Sequence, residues 1–186
     1  MNYVTVGTNE ITEEKFRPIE DRIDDVKPIG GLWLTENKAP YYNDWVDFIL
    51  CNQHLLFYKY CHDKMLWELP CSLVTIKEDS KIFQLNQPKN LDYLLNNYPY
   101  NDFISFQKLS EDYDGILIKL LYVWDMNTSK KAIENINKFA VDTLLLFNPK
   151  CIDYYQKGIV KLIDINIKEP IYELKYESEK RKVLKR

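Results

Sequence analysis

Hydrophobic positions along this chain recur with two periods, one typical of strands and one typical of helices. A period of two, which indicates strands with one buried face, runs through the opening segment "NYVTVG". Short apolar runs that end at Gly, Asn or Pro indicate further strands. We predict strands at residues 2–7, 32–35, 65–76, 81–85, 115–124, 142–149 and 158–167, with a hairpin exit at 80–82 between the third and the fourth.

Helical spacing occurs in three segments between these strands. In the first, Trp45, Phe48 and Ile49 fall on one helical face. We predict helices over residues 42–56 with Asn43 as the N-cap, 90–98 after Pro88, and 129–140 after Ser129. Strands outnumber helices, and no internal repeat is visible, so the pattern predicts a mixed α and β fold.

Composition and charge narrow the class of protein. The 186 residues are 46% hydrophobic and 28% charged, which is typical of a globular chain, and we expect a single domain over residues 1–168. The net charge of -3 provides no basic field for nucleic acid or anionic lipid. We expect a charged C-terminal tail over 169–186, no signal peptide, no membrane span and a cytoplasmic location.

The cysteine and histidine residues do not form a recognisable metal motif. Cys51, His54, Cys61 and His62 are close in sequence, yet no CxxC spacing is present. Free thiols in a reducing compartment explain the four cysteines equally well. We therefore expect no metal ion.

The segment "KPIGGLWLT" places Gly30 and Gly31 side by side in a chain with only five glycines. Because glycine has no side chain, these two positions permit positive φ or close approach of a ligand to the backbone. Trp33 and Thr35 have the same parity in the following strand, so both point to one side of it. Two interpretations stay open, a nucleotide site and a tight turn before a core strand. If the first holds, Gly31→Val should abolish ligand binding and leave the melting temperature nearly unchanged.

Four segments carry a family resemblance. "KPIGGLWLT" followed by "NDWVDF", "DYDGILI" and "VDTLLLFNPKCI" resemble uncharacterised bacterial and phage proteins with a KPxGGLWxS…W pattern. Those proteins look like relatives of the ADP-ribosyltransferase fold. The resemblance implies an α+β fold with a split pair of small, mostly antiparallel sheets and flanking helices, which holds NAD as a substrate in a cleft.

The same resemblance implies roles for individual residues. Thr35 takes the hydroxyl position and Asp142 the late acidic position, as the catalytic pair. Asp142 replaces the usual Glu, and the first strand lacks the usual Arg or His. The implied NAD-binding residues are Gly30, Gly31, Trp33, Lys27 and Arg17 (which could pair with the pyrophosphate), and Tyr42 and Tyr113 (which could stack on nicotinamide).

Other acidic residues offer weaker candidates. Asp112 and Asp114 flank Tyr113 before an apolar strand and share one face. They could act as an acid–base pair or bind a divalent ion, and a solvated strand entry with Asp-Gly turn chemistry explains them as well.

Three classes of function follow. The chain could transfer ADP-ribose from NAD to a macromolecule, as a toxin or effector. It could be a catalytically lapsed member that binds a nucleotide or a partner. It could also be an interaction or inhibitor protein that uses the acidic segment 20–25 or the basic tail. A protein partner is expected first and a nucleic acid second, and the oligomeric state is left open.

Overall fold

The structure is a computed structural model that describes residues 2–23, 25–37, 43–51, 68–120, 134–136, 138–164 and 171–177. It shows mixed α+β architecture that is mostly sheet. The strands are β1 Asn2–Val6, β2 Leu32–Glu36, β3 Glu68–Ile76, β4 Ile82–Leu85, β5 Pro99–Tyr100, β6 Phe103–Ile104, β7 Gly115–Ile118, β8 Thr143–Leu146, β9 Ile152–Asp164 and β10 Ile171–Tyr176. The helices are α1 Asp44–Cys51, α2 Pro88–Asn97 and α3 Phe106–Asp112, and 3-10 turns span Glu13–Lys15 and Pro149–Cys151.

The chain divides into two compact units. The first contains Met1–Thr12, Leu34–Lys77 and Ile152–Arg186, and the second contains Glu13–Trp33 and Glu78–Cys151. The expectation of one domain over 1–168 stays a prediction.

An antiparallel sheet dominates the first unit. Its strands follow the order β10-β9-β3-β1-β2, and the longest ladder pairs β3 with β9. Alternating side chains build its core, because one face of each strand is apolar. The buried members are Val4, Val46, Leu69, Cys71, Leu73, Val160, Tyr172 and Leu174.

In its described residues, the second unit combines the strands β4, β7 and β8 with the β5–β6 pair and the helices α2 and α3. β7 pairs antiparallel with β8 and parallel with β4. A parallel pair needs a long crossover, and the connection from β4 to β7 supplies it with α2, the β5–β6 hairpin and α3. The core contains Phe83, Leu91, Leu94, Phe106, Leu109, Ile116, Ile118, Phe139 and Leu145.

The hairpin predicted between β3 and β4 is wrong. β3 pairs with β1 and β9, whereas β4 pairs with β7. Each strand therefore finds its partners far away along the chain, where the local turn chemistry at 80–82 carries no information.

The structure confirms the strands at 2–7 and 81–85 and the helix after Pro88, and adds detail at the C-terminal side. β9 begins at Ile152, six residues before the predicted start, and β10 lies inside the predicted tail. Residues 65–67 and 121–124 of the predicted strands and 129–133 of the third predicted helix lie outside the described residues.

Asn43 caps α1 as predicted. Its Oδ1 accepts hydrogen bonds from the N–H groups of Trp45 (3.1 Å) and Val46 (3.2 Å). Trp45 and Phe48 share a helical face as predicted, because their half-buried rings contact each other edge to face, whereas the fully buried side chain of α1 is Val46.

Candidate functional site

The glycine pair is required by the packing of the chain itself. Gly31 has φ +66°, and a Cβ there would lie 2.7 Å from the Leu146 carbonyl oxygen and 2.9 Å from the Ile19 side chain. Gly30 has φ +91°, and a Cβ there would collide with the Pro18 carbonyl oxygen. The Gly31 N–H donates a hydrogen bond to the Arg17 carbonyl oxygen at 3.1 Å. The tight-turn interpretation therefore explains both glycines without a ligand.

Trp33 and Lys27 meet around one aromatic ring. The Trp33 ring lies 6.2 Å from that of Phe139, and the Lys27 ammonium lies 5.6 Å from the same Phe139 centroid. Burial lowers the pKa of Lys27, against the charge of Asp25, which raises it. Trp33 and Lys27, both predicted to contact a ligand, therefore contact Phe139 of the second unit.

Thr35 is fully buried in the first unit. Its Oγ1 accepts a hydrogen bond from the Asn43 side-chain amide at 2.8 Å. Asn43 also uses its backbone, since its N–H donates to the Tyr172 hydroxyl at 2.6 Å. The hydroxyl predicted to face nicotinamide thus holds the start of α1 against β2.

Asp142 lies directly before β8, at the expected position for the late acidic residue. Its Oδ1 accepts from the Leu120 N–H at 2.9 Å, and its Oδ2 lies 3.5 Å from the Lys119 ammonium. Both side chains are largely buried. The carboxylate is therefore neutralised and hydrogen-bonded by residues that follow β7, which is an arrangement typical of a structural ion pair.

Tyr113 belongs to an aromatic cluster made of Phe83, Tyr93, Tyr98 and Tyr113. Its ring lies edge-on to Phe83 at 5.2 Å and near Tyr98 at 6.4 Å. Burial raises the pKa of Tyr113, so its hydroxyl stays protonated at neutral pH. The other predicted stacking residue, Tyr42, lies outside the described residues. Arg17 is exposed.

The two acidic residues around Tyr113 have structural partners. The Asp114 carboxylate accepts from the Lys81 N–H at 2.9 Å and from the Asn148 amide at 2.9 Å. The Asp112 carboxylate accepts from the Tyr98 hydroxyl at 2.7 Å. Each carboxylate therefore holds segments of the second unit together through contacts between residues that are distant in sequence.

The loop over residues 20–29 exposes two apolar side chains that the sequence pattern did not indicate. It is closed at its ends by two hydrogen bonds between the backbones of Glu20 and Ile29, at 3.1 and 2.9 Å. Ile23 is 80% exposed and Ile29 is 45% exposed. The signal that could have revealed Ile23 is its position within an acidic run, where burial of the side chain is not expected.

Asp21 and Asp25 hold this loop in place. The Asp21 carboxylate accepts from the Ser105 hydroxyl at 2.5 Å and from the Phe106 N–H at 2.8 Å, at the start of α3. Asp25 accepts from the Lys27 N–H at 3.1 Å. Asp21 and Asp25, which belong to the acidic segment 20–25, thus accept hydrogen bonds within the fold. The exposed Ile23 therefore lies on a segment that these bonds anchor.

Among the described residues, no group of three or more His, Cys, Asp or Glu side chains is placed to hold a metal ion. Cys71 and Cys151 are buried free thiols, and burial raises the pKa of Cys71 to about 12. The side chains of Cys51, His54, Cys61 and His62 lie outside the described part of the chain.

The described contacts of the predicted site residues involve different partners. Within the second unit, Lys27 and Trp33 share Phe139, whereas Asp142 contacts Lys119. Thr35 belongs to the first unit. No described contact joins Lys27 or Trp33 to Asp142.

Comparisons with known proteins give no neighbour: no protein-family model, curated protein or solved structure matches the chain. The resemblance to relatives of the ADP-ribosyltransferases stays a prediction. In the described part of the chain, no helix has the length and apolar character to cross a membrane.

Proposed function

We propose that this chain is a relative of the ADP-ribosyltransferases that has lost transferase chemistry and acts by binding a protein partner through the loop 20–29. The antiparallel pairing of five strands in the first unit supports the proposed relationship. So do the positions of Gly30 and Gly31 directly before β2 and of Asp142 directly before β8.

The engagement of the catalytic candidates supports the loss of chemistry. A hydroxyl that positions nicotinamide must contact the ligand, whereas Thr35 is fully buried and bonded to Asn43. An acidic residue that stabilises an oxocarbenium-like charge must face it, whereas the Asp142 carboxylate faces Lys119 and the Leu120 N–H. Displacement of a catalytic group by about 1 Å can lower the reaction rate about a hundredfold. Thr35 and Asp142, which are turned to partners in the protein, are therefore poorly placed for catalysis.

The observation that carries the binding role is the exposure of Ile23 and Ile29 on one anchored loop. Ordering a loop on binding costs free energy, and the Asp21 contacts to α3 reduce that cost in advance. Residues 20–29 contain four acidic and two basic side chains, so the loop carries a net charge of -2. The partner surface that it fits is apolar at its centre and basic at its rim.

Capture from a bacterial cell extract tests this function, with the immobilised wild type and an Ile23→Asp variant compared by quantitative mass spectrometry. The wild type should retain a protein that Ile23→Asp loses by at least about tenfold, because a charge at the centre of an apolar contact removes a principal anchor.

Two controls make the comparison specific. Ile23→Leu keeps the apolar surface and should retain the partner. Tyr93→Ser alters the third exposed large hydrophobic side chain of the described residues and should also retain it. Equal capture by the wild type and Ile23→Asp, or loss with Tyr93→Ser alone, would overturn the assignment to this loop.

A further inference from the structure

Strand β10 lies at the end of the strand order in the first unit. Among the described strands it pairs with β9 alone. A strand in this position presents backbone N–H and C=O groups along its outer side, which can pair with another strand. The residues of β10 determine what kind of strand that is.

The pairing register shows which backbone groups point outward. The Glu177 N–H donates to the Lys157 carbonyl at 2.8 Å, and the register continues with Lys175 opposite Ile159 and Glu173 opposite Lys161. Hydrogen-bonded pairs alternate along an antiparallel ladder. The backbone groups of Glu173 and Lys175 therefore face β9, while those of Leu174 face the outer side.

The side chains of β10 separate by face. Leu174 is buried on the inner face. Glu173 and Lys175 lie on the opposite face, are both exposed, and form an ion pair at 2.8 Å. The strand therefore carries one negative and one positive charge, placed symmetrically about Leu174.

We propose that β10 pairs antiparallel with β10 of a second copy of this chain, centred on Leu174, to form a two-fold symmetric dimer. In this register the outward N–H and C=O of Leu174 pair with the same groups of the other copy. Glu173 then lies opposite Lys175 of the second copy, and Lys175 lies opposite Glu173. Each contact occurs twice, as a two-fold interface requires.

The charges select this register over its neighbours. A shift that keeps the outward groups of Leu174 paired must move the two strands by two residues. Such a shift places Glu173 opposite Glu173 of the second copy, or Lys175 opposite Lys175. Directly opposed like charges are destabilising and opposed unlike charges are stabilising, so the centre at Leu174 is favoured over the registers shifted by two residues to either side. Lysine on an edge strand usually discourages pairing, and here the opposing glutamate removes that barrier.

Charge reversal with mixing tests the proposal. Analytical ultracentrifugation of the wild type should show a mass of 22.3 kDa that doubles as concentration rises. Glu173→Lys and Lys175→Glu should each shift the midpoint of dimer formation to a concentration about tenfold higher, because two unlike pairs become like pairs. An equimolar mixture of the two variants should dimerise again, since every opposed pair is then unlike. Within each variant strand, positions 173 and 175 still carry like charges after mixing. An ion pair restored within one strand therefore cannot explain the recovery.

Amide hydrogen exchange of the wild type gives a second measurement that needs no variant. The Leu174 amide should become protected as protein concentration rises. The Glu173 and Lys175 amides, which face β9, should be protected equally at every concentration.

Three outcomes would overturn the proposal. The first is a wild type that stays monomeric at all accessible concentrations. The second is a dimer whose charge variants do not recover on mixing, since a different surface then forms it. The third is Leu174 exchange that does not depend on concentration, and this result decides the question even if a variant fails to fold.

Discussion

At the scale of single residues, the glycine pair changes meaning once its surroundings are known. The sequence indicates correctly that Gly30 and Gly31 need unusual backbone conformations, and both have positive φ. It does not indicate what approaches them. Leu145, Leu146 and Ile19 fill the space beside Gly31, so a ligand is not required there.

Replacement of Gly31 should therefore unfold the protein and not merely prevent ligand binding. Gly31→Ala combines backbone strain with a Cβ that overlaps packed atoms, so we expect a loss of about 2–5 kcal/mol in unfolding free energy. Gly7→Ala is the matched control, because Gly7 also has positive φ and has no atom within 4 Å of the added carbon. Urea unfolding of both variants measures the difference. Equal losses would contradict the packing explanation.

Thr35 gives the second prediction at this scale. Thr35→Val keeps the shape and leaves the Asn43 side-chain amide without its buried acceptor, so the free energy of unfolding should fall by about 1–3 kcal/mol. Thermal and urea unfolding measure it. A threonine kept for contact with a ligand would instead leave stability unchanged when replaced.

At the scale of elements, the start of α3 depends on a residue far away in sequence. The Asp21 carboxylate accepts from the Ser105 hydroxyl and from the N–H groups of Phe106 and Gln107. Asp21→Ala should lower the free energy of unfolding by about 1–3 kcal/mol, through loss of these capping bonds. Glu20→Ala, at an exposed neighbour, should change it little. Similar losses in urea unfolding for the two variants would contradict a capping role.

Helix α1 provides a pH dependence. Burial raises the pKa of Asp47 above its ordinary value of 3.8, the nearby Asp44 adds to this, and the Tyr172 hydroxyl opposes it. A carboxyl whose pKa is raised by folding stabilises the folded state when protonated, and that contribution is lost as pH rises through the folded-state pKa. The stability of Asp47→Asn relative to the wild type should therefore increase as pH rises from the ordinary carboxyl value of 3.8 through the raised folded-state pKa. A difference that is constant across this range would be inconsistent with the raised pKa.

The elements themselves are largely readable from the sequence, whereas their pairing is not. Period-two alternation and terminating Gly residues locate β1, and Pro88 marks the start of α2. The pairing of β3 with β1 and β9, in contrast, depends on which long-range contacts bury the most apolar surface. A local pattern contains no such information, so the predicted hairpin failed.

At the scale of the whole molecule, the predicted site residues have partners within their own units, so their unusual chemistry does not require a ligand. Thr35 lies in the first unit, while Lys27, Trp33, Tyr113 and Asp142 lie in the second. Sequence patterns identified residues with unusual local chemistry, and that chemistry is satisfied inside each unit. The exposure of Ile23 was not predicted, because it depends on tertiary contacts of its loop such as that of Asp21 with Ser105.

We propose that the protein binds a partner without transferring ADP-ribose, and incubation with adenine-labelled NAD is the experiment to perform first. Purified protein, alone and with bacterial extract, is assayed for labelled bands and for released nicotinamide, beside an Asp142→Ala variant. We expect no labelled band and no nicotinamide above the level of the variant. Label or nicotinamide that the wild type produces and Asp142→Ala does not would contradict it and establish an enzyme.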